Sequence, residues 1–295
     1  MNTKKYEALL HIAENGSISK TAQELGYTQS GITQMINGLE TELGMQLIIR
    51  RSKGVKLTNS GKELLPCMRE IIKWEEGLFE QCNRIKGNEV GTVKIGCLSS
   101  VASAWMPSIL QNFKKSHPNI KVNMYEAESP TLDHRLSEGI IDVAITELNN
   151  KDCFDSILLK KDEIMAVVPG CHELSSKDTI SLSELQKYPF IVYSTGENDE
   201  SEAGWPGIAT GNSIKWDIMY SCKDDMAAMN MVGHELGVTI AASLMLVNCQ
   251  SSVKAISLNP PLYRSLGIEV RSMKKILPAV DSFINCIEDM YLSAR

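Results

Sequence analysis

Apolar positions in the first sixty residues recur three and four apart. Tyr6, Leu9, Leu10 and Ala13 mark one face of a helix over residues 2–14, which Gly16 ends. Ile18, Ala22 and Leu25 mark a second helix, and Gly26 can adopt the left-handed conformation that closes it. Thr28 can cap a third through its hydroxyl, and Ile32, Ile36, Leu39 and Leu43 continue the spacing. Two short helices meeting at a tight turn form a helix-turn-helix, whose second helix can enter a DNA major groove. The outward positions there are Gln29, Ser30, Thr33, Gln34 and Asn37, polar groups able to bond base edges or phosphates. Three-helix cores without a DNA function are common, and such residues are usually just solvated. The neighbourhood adds to the pattern: Arg50, Arg51, Lys53 and Lys56 surround Gly54 in a short hairpin or wing, where cations can hold phosphates.

A long helix is expected from Thr58 to about Lys86. Leu64, Met68, Ile71, Glu75, Leu78, Cys82 and Ile85 alternate four and three apart, with Ile72 and Phe79 flanking the seam. An apolar seam on an exposed helix needs a partner, so the pattern predicts a dimerisation helix contacting through Met68, Ile71, Leu78 and Ile85. The alternative is a helix packed on its own domain. Pro66 lacks a backbone donor and is expected to loosen the first turns.

Gly87-Asn88-Glu89 marks a linker, after which the period changes. Strands are expected at Val93–Ile95, Ile120–Met124 and Ile141–Ile145, with helices over 106–115 and from Ser129-Pro130 to Gly139. This βαβαβ rhythm implies a parallel sheet covered by helices. A second set follows: strands at 164–168, 190–193, 214–220, 237–241, 253–258 and 266–270, and helices at 182–187, 224–236 and 279–292. The Gly-, Ser- and acid-rich stretch 194–213 shows no clear element. The α/β unit thus occurs twice.

Charge sharpens the division. Residues 1–60 hold 7 Lys+Arg against 5 Asp+Glu, a net of +2, within a chain of net charge −6. Residues 61–87 are balanced, so the remainder carries −8 and phosphate would repel it. The eight cysteines are scattered, without a C-x-x-C pair or zinc-like spacing, which fits reduced thiols in a cytoplasmic protein. The N-terminus has mixed charges and does not read as a signal peptide, and no apolar run reaches membrane-spanning length.

The run Ala22-Gln23-Glu24-Leu25, then Thr28-Gln29-Ser30, then Leu39-Glu40-x-Glu42-Leu43-Gly44, then Leu47, Arg50, Leu57-Thr58 and Gly61 resembles the N-terminal signature of LysR-type transcriptional regulators. Family members often have Pro where this chain has Ser30 and Arg where it has Gln34, so this recognition helix carries no cation of its own. The resemblance implies an α+β multidomain chain. A winged helix-turn-helix (1–60) would precede a linker and dimerisation helix (61–87) and a periplasmic-binding-protein-like effector domain (88–295). The latter's two α/β lobes would be 91–162 plus 266–295, and 163–265, with the final helix returning to the first lobe. Candidate DNA contacts are Ser19, Thr28, Gln29, Ser30, Thr33, Gln34, Asn37, Arg50, Arg51 and Lys53. Implied partners are double-stranded operator DNA, a second copy in a homodimer or homotetramer, and RNA polymerase, with no membrane.

Enzyme signatures are absent: the chain lacks G-x-S-x-G, G-x-x-x-x-G-K-[ST], H-E-x-x-H and G-x-G-x-x-G, and its five His residues suggest no metal cluster. No catalytic residue, metal or cofactor is therefore expected. Ser99, Ser100, Ser129, Thr146, Tyr193, Ser194 and Thr195 fall at predicted strand ends or helix starts, where open α/β sheets bind ligands. Ser99, Ser100 and Ser129 also match positions that line the effector cleft in LysR-type proteins. Taken singly, each Ser reads equally well as a helix cap; taken together, they point to a cleft for a small polar effector, a carboxylate being one candidate. Two other readings stay open: a thiol redox regulator, and a small-molecule-binding protein or enzyme that shares the two-lobed domain.

Overall fold

Three helices begin the chain: α1 (Thr3–Asn15), α2 (Ile18–Leu25) and α3 (Gln29–Leu43). The computed structural model describes residues 3–51, 54–148, 153–193, 215–247, 249 and 252–292. Ser17 caps α2 by accepting from the Lys20 N–H, and Thr28 caps α3 by accepting from the Gly31 N–H at 3.0 Å. A cap of this kind stabilises a helix by about 1 kcal/mol. Gly26 and Gly44 close the two helices with φ of 70° and 68°. Tyr6, Leu9, Ile12, Ile18, Ala22, Ile32, Ile36 and Leu39 interlock as one buried core.

A hairpin of β1 (Ile48–Arg51) and β2 (Gly54–Leu57) follows, paired antiparallel from Ile48↔Leu57 to Arg51↔Gly54. The Glu40 carboxylate fixes its base by accepting from the backbone N–H groups of Leu47 (2.7 Å) and Ile48 (3.1 Å). Next, α4 (Asn59–Ile85) runs through Pro66 without a break. Its start passes close under the hairpin: a Cβ on Gly61 would stand 2.3 Å from the Leu47 carbonyl oxygen. Leu65 and Met68 of α4 complete the core, so Met68 faces inward rather than toward a second copy as its place in the seam predicted. Ile71, Trp74, Leu78, Phe79 and Ile85 are exposed, Ile85 at 77%. These elements form one compact unit, Met1–Gly91 with Ser137–Ile140; the remainder, Thr92–Leu136 with Ile141–Arg295, forms another.

The second unit is a mixed α/β fold. Its strands are β3 (Gly91–Cys97), β4 (Ile120–Glu126), β5 (Val143–Glu147), β6 (Asp155–Pro169), β7 (Thr179–Ile180), β8 (Phe190–Tyr193), β9 (Ile218–Cys222), β10 (Thr239–Ala242) and β11 (Val253–Val270). Its helices are α5 (Ser99–Ala104), α6 (Met106–Ser116), α7 (Ser129–Ser137), α8 (Leu182–Leu185), α9 (Asp225–Gly233) and α10 (Pro278–Tyr291). One sheet runs β10-β6-β11-β5-β3-β4, with β7 beside β11, and a two-stranded parallel sheet joins β8 to β9.

The expected parallel rhythm holds for β3 with β5, and β7 lies parallel to β11, but β6 runs antiparallel to β10 and β11, and β11 antiparallel to β5. They are also longer than expected, at 15 and 18 residues, and β11 joins two segments read from the sequence as separate strands. The pair changes register between Ser257 and Leu262 and again between Leu266 and Gly267. One core gathers Val93, Ile95, Leu159, Leu266, Ile268 and the α10 residues Phe283, Ile284 and Ile287. Others gather Ile164, Phe190, Ile240 and Ile256, or Val167, Tyr193 and Met229. The long strands therefore pass from one lobe to the other between Leu159 and Ile164, and between Leu258 and Leu266.

Candidate nucleic-acid interface and ligand cleft

Burying Ile32, Ile36 and Leu39 leaves the opposite side of α3 outward. Gln29, Ser30, Gln34 and Asn37 are exposed there, Thr33 is half-buried, and Ser19 is exposed on the first turn of α2. Thr28 is exposed too, but its hydroxyl is engaged as the cap and lies 3.0 Å from the Ser30 hydroxyl. The Arg50 guanidinium donates to the Asn37 side-chain carbonyl at 3.5 Å, linking the hairpin to the third turn of α3. Arg51 is exposed beside it on β1, and Lys53 lies outside the described residues. Cations flanking a polar helix face can bind phosphates while the helix reads bases.

In the second unit, the loops after β3, β4 and β5 come together. The Leu98 N–H donates to the Ile145 carbonyl, and the Ala127 N–H to the Cys97 carbonyl. Thr146 donates its hydroxyl proton to Ser129 at 2.8 Å and is fully buried. Ser100, 2% exposed, accepts from the Arg264 guanidinium at 3.1 Å. Ser99, the first residue of α5, is exposed. Tyr193 packs into the second-lobe core, its hydroxyl donating to the Ile240 carbonyl at 3.1 Å, and burial raises its pKa well above the ordinary phenol range. Ser194 and Thr195 lie outside the described residues. Thus Ser100, Ser129 and Thr146 gather at the first-lobe loops with the exposed Ser99 next to Ser100, while Tyr193 packs into the second-lobe core.

The centre of the junction is a pair the sequence reading missed. Asp162 on β6 and Arg264 on β11 are register partners, 0% and 4% exposed, and bond at 2.8 Å. Asp162 also accepts from the Ser243 hydroxyl at 2.6 Å and the Leu244 N–H at 3.1 Å. The network therefore joins Ser100 of the first lobe to the turn after β10 of the second, through both crossing strands. A charged residue inside each strand was the available signal; their separation of 102 positions hid the pairing.

Burial raises the Glu147 carboxyl; Arg264 opposes that and Asp162 reinforces it. At the start of α9, burial raises Asp225, and its hydrogen bond to Asp224 and the charge of Glu128 raise it further. Among the described residues, no group of three His, Cys, Asp or Glu could hold a metal ion, and no helix is long and apolar enough to cross a membrane.

Comparison with known proteins supplies independent findings. The description "Bacterial regulatory helix-turn-helix protein, lysR family" matches residues 3–62, and "LysR substrate binding domain" matches residues 86–291. An uncharacterized HTH-type transcriptional regulator of Bacillus subtilis, YvbU, is 28% identical over 294 residues, covering 99% of each chain. Full-length OxyR C199D from Pseudomonas aeruginosa superposes with a TM-score of 0.76 at 16% identity, covering 98% of this chain and 95% of that one. Full-length CbnR, solved in complex with its target DNA, superposes with a TM-score of 0.66 at 17% identity, covering 98% and 99%.

Proposed function

We propose a working scheme from one premise: this chain belongs to the LysR family and is a DNA-binding transcription regulator with an effector-binding domain. Its relatives are regulators rather than enzymes. In the scheme, residues 1–60 bind operator DNA, 61–87 pair two copies, and 88–295 bind a small effector between lobes 91–162 plus 266–295 and 163–265. Bases are read by Gln29, Ser30, Thr33, Gln34 and Asn37, with Ser19 and Thr28 at the helix entrances. Arg50, Arg51 and Lys53 hold phosphates. The observation that carries this is the two-sided α3: a buried apolar face on the helix-turn-helix core and an exposed polar face beside two arginines.

Ile71, Leu78 and Ile85, joined by Trp74 and Phe79, supply the dimer contact, and dimers pair further into tetramers. Ser100, Ser129 and Thr146 belong to the effector site. We place the regulator in the cytoplasm, acting on RNA polymerase at its promoters. Thiol redox control gains no support from the cysteines. Burial pushes Cys97 up to about 12, and Cys171, Cys222, Cys249 and Cys286 are also raised, opposite to a reactive thiolate.

Fluorescence anisotropy on operator and scrambled duplexes tests the DNA assignment. Gln29→Ala and Thr33→Ala are expected to weaken operator binding by about 1–3 kcal/mol each and leave scrambled binding unchanged. Arg51→Ala weakens both and reduces the salt slope by about 0.9. Equal losses on both duplexes in all three variants would remove base readout from α3.

A further inference from the structure

We propose that this chain carries a second small-molecule site, at the end of the second lobe away from the junction, and that the site takes an aromatic amine. A cavity of about 320 Å³ opens there, at the small end of the range that holds organic ligands, about 300–1,000 Å³. It lies among the C-terminal end of β6 at Pro169, the following turn at His172, the entry to β8 at Tyr188-Pro189, and the entry to β10 at Glu235-Leu236. The junction is at the other end of the same strands: Asp162 precedes Pro169 on β6, and its partner Ser243 follows β10. At about 3.3 Å per residue, Asp162 and Pro169 stand roughly 23 Å apart along the strand.

The walls are held in place by the protein's own bonds. The His172 ring accepts from the Leu174 N–H through Nδ1 at 3.2 Å, and the His172 backbone N–H donates to the Pro169 carbonyl at 3.0 Å. Tyr188 meets that ring edge to face, with centroids 4.7 Å apart at 76°, and donates its hydroxyl proton to Glu173. The Val238 N–H donates to the Pro189 carbonyl at 2.9 Å, an approach that needs Gly237, since a Cβ there would stand 2.5 Å from that oxygen. Two rings, two prolines and Leu236 thus line a preformed, largely apolar slot suited to a flat ring. Exposed Glu235 adds a charge at its edge. It closes α9: its N–H donates to the Val232 carbonyl, and the Leu236 N–H to that of Met231. This closure puts Glu235 at φ 63°, where glycine is usual and a Cβ is unfavourable. A glutamate kept there at a conformational cost, and lining a cavity, points to a task for its carboxylate. That carboxylate accepts from the Cys171 thiol, a weak donor that an ammonium group would readily replace. A ligand carboxylate would meet the like charge of Glu235, with neither Lys nor Arg among the described lining residues to offset it.

The test uses the full-length protein with benzylamine, phenethylamine and tryptamine, and with hydrocinnamate, which sets a carboxylate on a phenyl ring and short chain. Titration calorimetry and thermal shift are read for wild type, Glu235→Gln, Glu235→Gly, Tyr188→Leu and Ser129→Ala. The expected result is that at least one amine binds and raises Tm, that hydrocinnamate does neither, and that both Glu235 variants weaken the amine roughly tenfold or more. Tyr188→Leu weakens it as well, whereas Ser129→Ala, at the junction, does not. Glu235→Gly is expected to lose the amine while its ligand-free Tm holds or rises, which separates loss of a binding group from loss of fold. Should the glycine lower Tm, Glu235→Gln, which keeps the side chain's size, decides the matter. Absence of heat and of a shift with all three amines at millimolar concentration overturns the proposal. Equal binding of hydrocinnamate overturns the ligand class. Amine binding unchanged in both Glu235 variants, or lost only in Ser129→Ala, overturns the second site.

Discussion

Glu235 follows the C-cap of α9 with φ 63°, the one left-handed residue other than glycine among those described. That position usually takes Gly, because a Cβ crowds the following carbonyl there. Glu235→Gly is expected to raise stability by about 1 kcal/mol, read as a higher urea midpoint at unchanged m-value; a lower midpoint would show that the carboxylate's hydrogen bond to Cys171 outweighs the backbone cost. Single residues were unevenly legible in the sequence. Thr28 and Gly26 announced their roles because caps act within a few positions along the chain. Glu40 and Gly61 stood in the recognised signature, yet their work was hidden: one carboxylate holds the hairpin base, and one absent side chain lets α4 pass under Leu47. Asp162 and Arg264 could not be paired from sequence, since nothing local links β6 to β11.

Helix α4 shows how far periodicity reaches at the scale of an element. The seam correctly places Ile71, Leu78 and Ile85 on an apolar stripe that the chain leaves exposed. It misassigns Met68, because α1 and the hairpin already cover the first turns of α4, and it overlooks Trp74, 49% exposed beside Leu78. Replacing Ile71 or Leu78 by Asp would bury a charge in the proposed pairing surface, costing several kcal/mol. Sedimentation is expected to show smaller species and operator affinity to collapse; unchanged mass would assign the contact to another surface. The long strands were only half legible for a related reason. Lys160, Lys161, Asp162 and Glu163 interrupt the apolar pattern of β6 where it crosses between lobes, so the sequence reading began the strand at Ile164. Crossing strands carry polar groups at that point because no single core surrounds them.

Over the whole molecule, the buried ion pair links the two lobes through their crossing strands. Arg264→Ala would strand the Asp162 charge and is expected to cost about 3–5 kcal/mol, whereas the double change Asp162→Leu with Arg264→Met recovers most of that stability. Urea denaturation distinguishes the cases: no recovery in the double variant would mean that the hydrogen bonds to Ser243 and Leu244, rather than charge, hold the junction. The division into a mildly basic head and an acidic body was readable from composition, and the repetition of the α/β unit from the apolar pattern. The mixed sheet that runs through both lobes was not, because strand direction depends on partners distant in sequence. Sequence-specific DNA recognition through α3 is the claim on which the rest depends. DNase I footprinting on fragments of the source genome measures it, comparing the wild-type chain with a Thr33→Ala, Gln34→Ala double variant. The account predicts a discrete protected site with half-sites about one helical turn, or a multiple of it, apart, lost in the double variant while general DNA affinity persists. Protection of no discrete site by the wild type, or the same footprint from both proteins, would contradict it.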